Sequence, residues 1–121
     1  MLSVHYQVIQ DHQSEYPEPI HFVKGTRLIL GERYEGPEGW EDWRFCTAPG
    51  QKGGWVPLQI LDRIDEHCAR AREDYTAREL DVRIGERLIG SRHLNGWVWC
   101  EKLGSQASGW VPLANLREIT P

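Results

Sequence analysis

Apolar and polar positions alternate along this chain in short stretches. Ile20-His21-Phe22 and Leu80-Asp81-Val82 follow a period of two, and Leu28 to Leu30 and Leu88 to Ile89 are short apolar runs placed just after a glycine. That is the pattern of half-buried strands bounded by turns. Trp43-Arg44-Phe45-Cys46 and Trp97-Val98-Trp99-Cys100 add stretches rich in the aromatic and β-branched residues that strands favour. Nowhere does a 3.6-residue apolar period persist over about 11 residues between capping residues, so helices do not organise the fold. The stretch from Ile60 to Tyr75, charged and containing alanine, is the ambiguous one. It reads as the last strand of one unit followed by the first strand of the next.

The sequence repeats itself. Trp43-Arg44-Phe45-Cys46 matches Trp97-Val98-Trp99-Cys100, and Gly54-Trp55-Val56-Pro57-Leu58 matches Gly109-Trp110-Val111-Pro112-Leu113. Upstream, Lys24 to Leu30 corresponds to Ile84 to Gly90; downstream, Leu58-x-x-Leu61-x-x-Ile64 corresponds to Leu113-x-x-Leu116-x-x-Ile119. Matching blocks in one order mark a duplication, which sets the architecture. The first copy carries extra residues between Leu30 and Trp43. That stretch, Gly31 to Asp42, holds five acids, three glycines, Tyr34 and Trp40, and reads as a long exposed loop. Several short strands in about 55 residues, one of them ending in Pro, describe a small half-open β-barrel.

The 121 residues leave room for two such units. No apolar run approaches the ~20 residues of a membrane helix. The start, Met1 to His5, has no basic and apolar leader, which points to a cytoplasmic chain. A formal net charge of -4 argues against nucleic-acid binding, which draws its affinity from clustered Lys and Arg. Residues 1–65 hold ten acids and six bases, residues 66–121 eight of each, so the whole excess steers any basic partner to the first half. Cys46, Cys68 and Cys100 cannot all pair, and their spacing with the five histidines fits no zinc site. Cys46 and Cys100 take one equivalent strand position and read as small core residues. No phosphate loop, carboxylate pair or Ser-His-Asp order is present, so no catalytic residue, metal or cofactor is assigned.

Residues 69–119 resemble a Src-homology-3 domain. Ala71-Arg72-Glu73-Asp74-Tyr75 stands for the family's Ala-Leu-Tyr-Asp-Tyr segment, Glu79 to Glu86 for its diverging turn, Gly96-Trp97 for its binding Trp, and Gly109-Trp110-Val111-Pro112 for the stretch before its short 3₁₀ turn. The first repeat is a more divergent copy, and as a whole the chain resembles the bacterial variant Src-homology-3 proteins. The resemblance implies an all-β fold of two tandem half-open barrels, residues 1–65 and 66–121. It also implies a non-catalytic adaptor for a basic or Pro-rich peptide or protein, the chain itself being a monomer or weak homodimer. Its ligand face would be an aromatic groove of Tyr75, Trp97 and Pro112, with Glu79 meeting a ligand Arg and Asn115 standing at a family Tyr position. In repeat one Tyr16, Trp43 and Pro57 would form the corresponding groove, and the acidic loop would display Tyr34 and Trp40.

Other readings of the same residues stand beside this one. Trp43 and Trp97 fit either an open groove or a buried face between repeats. Cys68 beside His67 suggests a thiol enzyme, although neighbouring strand residues point to opposite faces. The Trp-rich faces also suit a self-associating structural subunit. Only Asp65-Glu66-His67 separates the two repeats, and so short a connector without Gly, Ser or Pro implies that the halves are held together.

Overall fold

The computed structural model describes residues 3–15, 17–33 and 42–120. Among these residues the regular elements are strands and two short 3₁₀ turns, as the period-two patterning predicts. The strands are β1 (Val4–Val8), β2 (His21–Phe22), β3 (Arg27–Arg33), β4 (Trp43–Thr47), β5 (Gly54–Pro57), β6 (Leu61–Arg63), β7 (Cys68–Ala71), β8 (Tyr75–Thr76), β9 (Arg87–Leu94), β10 (Trp97–Lys102), β11 (Ser108–Pro112) and β12 (Leu116–Ile119). One five-stranded sheet has the order β11-β10-β9-β1-β12, the other β5-β4-β3-β7-β6, and β2 pairs with β8.

That strand order departs from the expected boundary at residue 65. The chain forms one compact unit from residues 1–17 and 78–121, and another from residues 18–77. β1 lies antiparallel between β9 and β12, all in the first unit, with Tyr6 opposite Leu88 and Glu118. β7 lies antiparallel between β3 and β6, in the second, with Ala69 opposite Leu28 and Arg63. The first strand, β1, thus lies in the sheet built from β9 to β12, and β7 lies in the sheet built from β3 to β6. Residues 65–67, expected to link the repeats, are instead a tight turn inside the 18–77 unit. There the Ile64 amide donates to the Cys68 carbonyl at 3.0 Å, and the Asp65 carboxylate accepts from the His67 and Cys68 amides at 2.7 and 2.9 Å.

The two units repeat one set of hydrogen bonds. The Gly85 amide donates to the Val8 carbonyl at 2.9 Å and the Gly25 amide to the Ala71 carbonyl at 2.8 Å. Both glycines hold positive φ, 94° and 90°, so each turn takes the conformation that only glycine adopts without strain. Pro57 and Pro112 close β5 and β11 at φ of -62° and -59° and lead into the 3₁₀ turns Leu58–Ile60 and Leu113–Asn115. The core of the first unit is Tyr6, Val8, Leu80, Val82, Leu88, Val98, Cys100, Val111 and Leu116. In the second, Ile20, Leu28, Cys46, Val56, Ile60 and Ala69 are fully withdrawn from solvent.

One boundary moved for a local reason. β3 continues to Arg33, past Gly31 where the sequence predicts the loop to begin, because Arg33 pairs with Arg44 on β4. Tertiary pairing overrides the Gly and charge signals there.

Candidate ligand-binding site

Trp97 opens β10 directly after a two-residue turn in which Asn95 and Gly96 both take positive φ, 48° and 85°. Such a turn matches the right-handed twist of a hairpin and presents the next side chain at its mouth. Pro112 is the register partner of Trp97 across β10 and β11, and the Leu113 amide donates to the Gly96 carbonyl at 2.8 Å. Trp97 and Pro112 are both half-buried.

A third side chain, absent from the sequence-based set, completes the face. His12 stands edge-on to the Trp97 indole, ring centroids 5.6 Å apart and planes at 77°. Its Nε2 lies 2.7 Å from the Glu79 carboxylate, in a pair of which only 17% and 11% of the side chains are exposed. Backbone bonds with Val82 at 2.9 and 2.8 Å fix His12 in place. Burial raises the Glu79 carboxyl above the ordinary carboxylate range, and the hydrogen bond and charge of His12 oppose that rise. Glu79, expected to meet a ligand Arg, is therefore already engaged.

Asn115, expected on the ligand face, is 8% exposed, and its amide donates to the Gln10 and Asp11 carbonyls at 3.3 and 3.1 Å. Its role in the structure is to hold the segment that carries His12. Beside this face lies an open cleft of about 850 Å³ lined by Asp11, His12, Gln13, Asp81, Val82, Arg83, Glu86 and Lys102. Its carboxylates tie its walls together: Asp11 accepts from the Ile84 amide at 2.7 Å, Asp81 from the Ser14 amide at 2.7 Å, and Glu86 from the Arg83 amide at 2.6 Å. The Arg83 hydrogen bond, with help from Lys102 at 3.2 Å, holds the Glu86 carboxyl below its ordinary 4.5.

Tyr75 does not join Trp97 and Pro112. It belongs to the 18–77 unit, where it pairs with Phe22 at a ring separation of 5.6 Å and is 9% exposed. Trp43, 9% exposed, and Pro57, fully buried, face each other in that unit across β4 and β5. Tyr16, Tyr34 and Trp40 lie outside the described residues. The misplaced partner has a simple origin. His12 bridges Val82 as Tyr75 pairs with Phe22, so His12 is the counterpart of Tyr75. Gln10-Asp11-His12 against Glu73-Asp74-Tyr75 was the available signal, since Asp74 accepts from the Lys24 amide as Asp11 does from Ile84.

The thiols separate as their positions suggest. Cys46 and Cys100 are fully buried, and burial pushes both up to about 12. Cys68 is half-buried, and its sulfur accepts from the Arg27 guanidinium at 3.4 Å. Among the described residues no group of three or more His, Cys, Asp or Glu is placed to hold a metal ion, and no helix is long and apolar enough to cross a membrane.

No curated protein and no solved structure matches the chain. Residues 5–63 match the family model of the variant SH3 domain, which supports an SH3-like domain in this chain. The matched segment runs across residue 17, so its first strand is the one that pairs in the other unit.

Proposed function

We propose that this chain is a non-catalytic protein-interaction module of two SH3-like barrels, and that the unit containing Trp97 carries the ligand face. The observation that favours this unit is the contrast between equivalent pairs: Trp97 and Pro112 keep solvent access where Trp43 and Pro57 are buried. A half-exposed indole beside a proline offers a flat apolar surface and one N–H donor, which suits an extended peptide bearing proline rings. Because Glu79 is held by His12, a basic side chain gains little there, and stacking dominates. The adaptor reading of the sequence rests on this face, and a cytoplasmic location is part of the same proposal.

The test is selection of Pro-rich and of Arg- and Lys-bearing peptides on the intact chain, with Trp97→Ala and Trp43→Ala as counter-screens. Ligands selected on the native protein are expected to lose about 2 kcal/mol on Trp97→Ala, a roughly 30-fold weakening. Their affinity should change little between low and physiological salt. Peptides that bind Trp97→Ala as tightly as the native chain sink the assignment. A steep salt dependence returns the site to a charged ligand.

A further inference from the structure

We propose that the exchange of first strands is sorted by complementary side-chain sizes, so that each slot accepts the strand of the other repeat and rejects its own. The slot between β9 and β12 has a hollow at Gly90. A Cβ there would come within 2.6 Å of Tyr6 Cε2 and 2.8 Å of Val98 Cγ1, so the tyrosine ring fills the space a side chain would need. Tyr6 is 3% exposed, and its hydroxyl lies 2.7 Å from His93 Nε2, a bond that satisfies a polar group carried into the core.

The other slot has the opposite shape. Leu30 stands where Gly90 does, each opposite its cysteine, Cys46 or Cys100, on the next strand. Ala69 stands where Tyr6 does, each opposite its leucine, Leu28 or Leu88. Arg33 replaces His93, each opposite the residue that follows the tryptophan of its hairpin. The trade recurs one pair further on, with Val8 and Val82 in one core and Ala71 and Phe22 in the other, all buried.

Contiguous pairing would bring Tyr6 to Leu30 and Arg33, overfilling one core and leaving the hydroxyl without His93. It would also bring Ala69 to Gly90, leaving a cavity in the other. Overpacking and cavities each destabilise closely packed interiors, so both errors act in the same direction. The backbone ladders of the two slots are alike and do not discriminate. The sorting also decides that His12 stands beside Trp97 while Tyr75 stays with Phe22.

The topology can be read chemically, because position 119 faces His5 in the exchanged pairing, while contiguous pairing would set it opposite native Cys68. Directly opposed residues of an antiparallel pair lie about 4.5–5.5 Å apart at Cα, within disulfide reach. In the full chain carrying His5→Cys and Ile119→Cys, mild oxidation is expected to join positions 5 and 119 within one monomer. A link between 68 and 119 overturns the proposal.

The sorting itself is tested by adding the reciprocal changes Tyr6→Ala, Val8→Ala, Ala69→Tyr and Ala71→Val. The link should then move to 68 and 119, and a link that stays at 5 and 119 overturns the size code. A milder pair guards against misfolding. Gly90→Ala should lower the Tm of the native chain by about 10 °C and that of the Tyr6→Ala chain by clearly less. Equal losses in both backgrounds also overturn it.

Discussion

At the scale of single residues, equivalent positions share a chemistry but not always a task. Cys46 and Cys100 were legible as core residues because both copies place a small apolar group at one strand position. Native alkylation with iodoacetamide should therefore modify Cys68 alone, the two buried thiols sitting too high, at about 12, to supply thiolate. Mass spectrometry of the brief reaction counts the adducts, and rapid labelling of Cys46 or Cys100 would contradict their placement. Glu86 gives a pH prediction. Its folded carboxyl sits below 4.5, so its stabilising contribution is present above 4.5 and is lost as pH falls through the lowered value. Glu86→Gln should lower the Tm at neutral pH, and the gap should close in acid; solvent at this half-buried site keeps the effect small. The difference between Trp43 and Trp97 was not legible, because both begin equivalent strands and burial depends on what the fold brings over them.

At the scale of elements, the Gly-Trp-Val-Pro stretches revealed a strand and its 3₁₀ exit, since proline fixes φ and ends the ladder. The reason for the leading glycine is visible only in three dimensions. A Cβ on Gly109 would lie 2.8 Å from the Leu80 nitrogen and 2.9 Å from the Glu79 carbonyl carbon, both backbone atoms that cannot rotate away. Close approach lets the Leu80 amide donate to the Trp110 carbonyl at 3.0 Å and the Trp110 amide to Arg78 at 2.9 Å. Gly109→Ala should cost about 1–3 kcal/mol, the usual range for overfilling a packed site. Faster amide exchange at Leu80 and Trp110 should accompany it. Unchanged protection at those two amides would show that the approach is not needed. Because Glu79 lies in this segment, the same substitution should also loosen the His12 contact.

At the scale of the whole molecule, the matching blocks of the sequence suggested a duplication, whereas the partner of each first strand was not legible. Both copies carry a short apolar strand before the diverging turn, and a period-two pattern says which face is buried without saying in whose core. The matched family segment, residues 5–63, is contiguous, and by itself it suggests cutting the chain near residue 65. The strand pairing favours a different cut. A fragment of residues 1–65 keeps β3 and β6 but lacks β7, the strand between them, and the strand it has to offer carries Tyr6 where the slot fits Ala69. A fragment of residues 18–77 holds every strand of its sheet together with the β2 and β8 pair. Urea unfolding followed by tryptophan fluorescence should give a cooperative transition for 18–77 and none for 1–65. A cooperative 1–65 beside a structureless 18–77 would mean that each repeat closes on itself.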